Sequence, residues 1–149
     1  MLRILGTALL LTMVTTTLQA ADLVRKTSPH SVQVTVDRLA SAVEGAGAKV
    51  FARIDHAAGA QAVGAELRPT EVLIFGNPKL GTPAMQLSQS AGLDLPLRVV
   101  VFEDADGTVV LAYHPPETLA ADHGIPADAP VLGKMTGALG KLTDKAVAN

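Results

Sequence analysis

Apolar positions along this chain recur with two periods, and the switches between them mark its elements. Residues 22–27 read as a short first strand, broken by Ser28-Pro29-His30-Ser31. Val32, Val36, Leu39 and Val43 then fall at spacings of four, three and four, which puts them on one face of a helix. Ser31 stands where its hydroxyl can accept a free amide of the first turn, and Gly45 and Gly47 supply the stop. From Lys49 the period drops to two. Val50, Ala52 and Ile54 alternate with Lys49, Phe51 and Arg53, which predicts a strand ending at Asp55 with those two sets on opposite faces.

Asp55 is placed to cap a short Ala-rich helix, and Pro69 resets the chain for Val72-Leu73-Ile74-Phe75. Four consecutive apolar residues predict a strand that is buried on both faces or central in its sheet. The loop FGNPKLGTP follows, with Thr82 expected as a cap and Pro83 as the first residue of a helix running to about Ser90. The stretch LPLRVVVFEDADGTVVLAYH places two β-rich runs around Asp104-Ala105-Asp106-Gly107, a hairpin signal. Leu132, Met135, Leu139, Leu142 and Ala146 share a helical face in the last segment. The order is β-α-β(4)-α with short helical inserts. The hairpin requires antiparallel pairing, so the class is α+β, a mainly antiparallel sheet covered by helices on one face. Phe51, Phe75, Phe102 and Tyr113 all fall in predicted strands, and burial of these four aromatics beneath the first and last helices is expected.

The start of the chain has a different character. Arg3 precedes an apolar run from Ile4 to Val14, and small residues close it at Ala20 and Ala21, the layout of a secretory signal peptide over residues 1–20. Threonines at 15, 16 and 17 interrupt the run well short of the roughly 20 apolar residues a spanning helix needs, so no stable membrane anchor is expected after cleavage. That leaves residues 21–149 as one globular domain in the periplasm or outside the cell. Loss of Arg3 leaves 11 basic and 14 acidic residues, a formal charge of −3, which gives no electrostatic footprint for nucleic acid. With no cysteine, disulfides and thiolate ligands are excluded and stability must come from packing.

Three ordered segments, RIDHAAGA, LIFGNPKLGTPAMQ and LDLPLRVVVFEDADGTVVLAYHPP, together resemble the family catalogued as domain of unknown function 302. The resemblance spans most of residues 21–149. It implies a compact α+β fold whose antiparallel sheet is similar to that of the TATA-box-binding protein, and it implies no activity. His114 departs from the Asn expected there in many relatives.

Candidate chemistry is sparse. Gly76 and Gly81 have the glycine spacing of a phosphate-binding loop, but Thr82 and Pro83 stand where its Lys and Ser/Thr belong, so no nucleotide site follows. Lys79 beside a helix start could still attract a small anion. Asp55 and His56 lie at a strand end, where an imidazole can act as a base. His30, His114 and His123 occupy turns or helix ends, and Met85 and Met135 sit at positions that normally face a core, so no metal and no cofactor is expected. The candidate ligand site therefore joins Asp55, His56, Asn77, Lys79, Gly81 and Thr82, with a small molecule as its occupant, and requires the two segments to leave one edge of the sheet.

Three function classes remain. The first is a secreted binding or accessory domain, the one favoured by the lack of a nucleophile motif or cofactor fingerprint. The second is an enzyme using Asp55 and His56 as acid and base near Lys79. The third is a structural subunit that forms a homodimer through an exposed edge strand or the Gly-rich last helix.

Overall fold

Ser31 opens the first helix as its position requires, its Oγ accepting the Val34 amide at 3.3 Å. The computed structural model describes residues 23–149, and the signal segment expected over residues 1–20 lies outside them. Helix α1 (Val32–Gly45) buries Val32, Val36, Leu39 and Val43 on the face their spacing defines. It ends where Gly47 takes a positive φ of 74°.

Five strands form one antiparallel sheet: β1 (Val24–Ser28), β2 (Lys49–Asp55), β3 (Thr70–Gly76), β4 (Leu97–Glu103) and β5 (Val109–Tyr113), in the spatial order β1-β5-β4-β3-β2. The β4–β5 hairpin closes at the expected turn, where Asp104 Oδ1 accepts the amides of Asp106 and Thr108 and Gly107 has a φ of 79°. Helices pack on one face. The last helix, α5 (Pro130–Val147), lies beside α1, and Leu139, Leu142 and Ala146 join Leu73, Phe75, Val99, Val101 and Leu111 in the main core. A second cluster around Met135, Leu132, Ile125 and Leu119 is built by α3 (Pro78–Leu87), α4 (Thr118–His123), α5 and the short 3-10 turn Gln89–Leu93.

The end of α5 is tied back to α1. Arg38 donates from Nε to the Ala146 carbonyl at 3.0 Å and from its terminal nitrogen to Lys145 and Ala148, satisfying carbonyls that a helix end leaves free. At the other edge Lys26 of β1 donates to the Gly140 carbonyl at 3.1 Å and to the Thr143 hydroxyl at 2.7 Å, and pairs with Asp144.

One pair of alternatives is decided and three expectations are corrected. The strand β3 is central in its sheet rather than buried on both faces: Leu73 and Phe75 are fully covered, while Val72 and Ile74 are half-buried on the opposite side, which no helix crosses among the described residues. In β2 a bulge inserts Phe51, so Val50 opposes Phe75 on the helix side while Ala52 and Ile54 oppose Ile74 and Val72 on the open side. The aromatics divide accordingly: Phe75 and Tyr113 are buried, Phe102 is half-buried on the open side with Arg25 above its ring, and Phe51 is 50% exposed. The helix expected from Pro83 begins at Pro78 instead. Asn77 caps it by accepting the Lys79 amide at 2.9 Å, Pro78 takes the position where a missing N–H costs nothing, and Thr82 caps nothing. Pro83 lies inside this helix and cannot donate to the Lys79 carbonyl.

Candidate functional site

Strand register separates the two segments expected to share a ligand. Asp55 pairs with Glu71 at one end of the β2–β3 ladder and Lys49 pairs with Gly76 at the other. The five residue steps from Glu71 to Gly76 span about 17 Å at the rise of an extended strand. Asp55 and His56 therefore leave one end of the sheet, while Asn77, Lys79, Gly81 and Thr82 leave the opposite end. The six residues do not form one site, and an acid and base at Asp55 and His56 acting near Lys79 is ruled out by this geometry. The reason is the antiparallel pairing itself: in sequential hairpin-like strands, the end of one meets the start of the next.

Each end has its own cavity. At the Gly76 end, the long connection from β3 to β4 folds α3 over the rim of the sheet and against α5, enclosing about 350 Å³. Phe75 and Leu97 form its floor, Leu80 and Met85 of α3 one wall, Met135 and Leu139 of α5 another. Asn77, Gly81 and Thr82 line it, but no charged side chain among the described residues does, and Lys79 is exposed outside it. Two local features keep the mouth open. Gly76 passes so close to Pro96 that a Cβ there would lie 3.3 Å from the Pro96 Cβ, and Gly81 presents no side chain toward Met85. Asn77 also reaches across to the Gly47 carbonyl at 3.4 Å, at the long limit of a hydrogen bond.

At the Asp55 end, a second cavity of about 350 Å³ is lined by Asp55, Glu71, Glu103, Ser31 and Thr70. Its chemistry is largely spent within the fold. Asp55 Oδ1 accepts the Ala58 amide at 2.9 Å as the cap of α2 (His56–Ala62), and Glu71 Oε2 accepts Arg53 Nε at 2.6 Å. Arg53 also pairs with Asp37 of α1, and these two carboxylates raise its pKa above the ordinary guanidinium value. His56 is exposed. Among the described residues no group of three or more His, Asp or Glu is arranged to hold a metal ion.

A third arrangement escaped sequence reasoning. His123, whose side chain is 6% exposed, lies with Nε2 2.7 Å from Asp94 Oδ2 and Nδ1 3.0 Å from Ser90 Oγ. The carboxylate can only accept, so Nε2 donates to it, and in a neutral ring Nδ1 accepts the Ser90 hydroxyl. Those hydrogen-bond roles are those of a Ser-His-Asp set, but the three residues line neither cavity. Their effect is to tie the Gln89–Leu93 turn to the end of α4. No spacing rule could have found them, since Asp94 and His123 are 29 residues apart.

Among solved structures, the fold is similar to the crystal structure of an uncharacterized conserved protein DUF302 from Bacillus stearothermophilus, with a TM-score of 0.75 over 83% of this chain and 97% of that one. At 19% identity that likeness concerns the fold alone. Among curated proteins, the chain is 43% identical over 119 residues to one named fluoride-specific ion channel FluC 1 from Brucella suis biovar 1, a match covering 78% of this chain and 47% of that protein. The match to fluoride-specific ion channel FluC 2 from Brucella melitensis biotype 1 has the same identity and covers 44% of that protein. The chain thus spans under half the length of these relatives. Residues 24–142 match the model of one family over nearly the whole described fold, and the chain belongs to that family, domain of unknown function DUF302.

Proposed function

We propose that this chain is an exported, non-catalytic accessory domain that takes a small apolar molecule into the cavity between α3, α5 and the Gly76 end of the sheet. The observation that carries the proposal is the lining: about 350 Å³ faced by Phe75, Leu80, Met85, Leu97, Met135 and Leu139 without a single charged group. That volume and polarity suit a small ligand site, in which apolar walls supply affinity and a few polar groups, here Asn77 and Thr82, orient the guest. The Brucella relatives favour an accessory role. Among the described residues no helix is long and apolar enough to cross a membrane, whereas an ion channel needs a spanning part. On this reading the conduction named for those relatives belongs to the part this chain does not match.

The test uses an environment-sensitive naphthylamine dye as the apolar probe. The chain is expected to bind it with enhanced fluorescence, and Ala138→Phe, which fills the cavity from α5, is expected to abolish the signal while the urea midpoint holds. Dye binding unaffected by the filled cavity would overturn the site. Export is tested separately by the intact mass of the protein recovered from the periplasm, which is expected to lack residues 1–20.

A further inference from the structure

The open face of the sheet is apolar, and the charges its strands place there are all positive, whereas the helix-bearing side mixes Lys26 and Arg53 with carboxylates. Cross-strand pairs place Ala112, Val100, Val72 and Ile54 in one row on this face, with Phe102 and Val110 in the next row and Ile74 and Ala52 in the row beyond. Among the described residues no helix covers them. The acidic strand residues, Asp55, Glu71 and Glu103, all belong to the opposite, helix-bearing side, since they alternate with the open-face positions. The charged residues of the open face are Arg25, Lys49 and Arg98, all cations, and all at its margin. Arg98 meets Asp94 at 2.8 Å, while Arg25 and Lys49 lie over the rings of Phe102 and Phe51. An apolar centre inside a charged rim is the anatomy of a protein interface.

The charge also has a direction. Lys49 and Arg98 mark the end where β2 and β4 begin, whereas the Asp104-Ala105-Asp106-Gly107 turn lies at the opposite end. We propose that two copies of this chain pack open face to open face, related by a two-fold axis that crosses the strands, so that each basic end lies over the partner's acidic turn. Sheets stack at about 10 Å when such half-buried β-branched faces meet. Five strands about 4.8 Å apart and about 20 Å long give a footprint of roughly 480 Å² on each copy, so the pair buries on the order of 1,000 Å², the lower bound for a specific interface. The dimer is therefore concentration-dependent. It differs from pairing through an edge strand or through α5, both of which leave Val100 and Phe102 uncovered, and it stands independently of the cavity reading.

Light scattering across a concentration series, on the chain beginning at residue 21, tests the proposal. The mass is expected to double between low and high micromolar protein and to stay monomeric in Val100→Glu, with far-ultraviolet circular dichroism confirming that the variant is folded. Because the chain has no cysteine, a second measurement covers a variant that fails to fold. Val110→Cys is expected to be joined to its partner by a short bis-maleimide, and Lys141→Cys, on the exposed side of α5, is not. A monomer at every concentration, a Val100→Glu dimer, equal joining of the two cysteine variants, or a monomer that instead pellets with phosphatidylglycerol vesicles through this face would each overturn it.

Discussion

The imidazole of His123 holds the carboxylate of Asp94 at 2.7 Å, and through it the last turn of α4 is fastened to the segment that leads into β4. Because the His123 side chain is 6% exposed, its removal leaves Ser90 and Asp94 without their shared partner. His123→Ala is expected to lower stability by about 0.5–1.5 kcal/mol, the net worth of the lost hydrogen bonding, since Ser90 is exposed and Asp94 keeps Arg98. Urea unfolding followed by circular dichroism checks this, and a midpoint unchanged from the parent would show the link to be idle.

Phe75→Ala is expected to be far more damaging than His114→Ala. Phe75 is 1% exposed and meets both α1 and α5 through the main core, and truncating a buried Phe costs about 3–5 kcal/mol. His114 is exposed, and such a change stays within about 0.5 kcal/mol. Comparing the two urea midpoints decides the matter.

Arg53 bridges Glu71, which is 9% exposed, and Asp37 on α1. Arg53→Met should destabilise by about 1–3 kcal/mol, because it leaves the carboxylate of Glu71 covered and unpaired. Arg53→Lys should recover only part of that, since Arg53 meets Glu71 and Asp37 through two separate nitrogens of a planar fork that a single ammonium does not reproduce. The sign of the pH dependence follows from the raised pKa: its contribution is complete below the ordinary guanidinium range and is lost only above it. Titration of Arg53 itself therefore leaves stability unchanged across the neutral range, which thermal melts of the parent and Arg53→Met at pH 6 and pH 9 would check by a constant difference.

Two glycines should respond in opposite directions to the same substitution. Gly137 lies within α5 with open space around its Cβ position, so Gly137→Ala is expected to stabilise by about 0.5–1 kcal/mol. Gly107 sits in the hairpin turn at a φ of 79°, where a side chain is strained, so Gly107→Ala is expected to destabilise by about 1 kcal/mol. Melting temperatures of the two variants on either side of the parent would bear this out.

What could be read from the chain alone followed from period and from local chemistry. The faces of α1 and α5, the cap at Ser31, the cap at Asp55 and the Asp104–Gly107 hairpin each depend on residues within a few positions of one another, and the structure has them as expected. The Phe51 bulge was hidden because alternation continues unbroken through it. The start of α3 was misplaced because two Pro residues both suit a first helical turn, and only Asn77 with its accepted amide selects Pro78. The proposed site failed for a global reason: local pattern showed that two strand ends carried polar groups but not which ends of the sheet they were. The Asp94–His123 pair and the cavity wall of Met135 and Leu139 depend on elements that meet only in three dimensions.

The clasp between Arg38 and the carbonyls of Lys145, Ala146 and Ala148 sets a timetable for the molecule's birth. Helix α5 follows every strand in the chain, yet it roofs the core face and holds Lys26 of the first strand through Gly140 and Thr143. A nascent chain emerging from the ribosome can complete α1 and the β4–β5 hairpin early, but the roof over its sheet is only half built until the residues after Pro130 have arrived. Contacts between such distant parts slow closure. Until then the part of the core face that α1 does not cover lacks its lid, and a chaperone that holds greasy, half-made sheets has its opportunity in that interval.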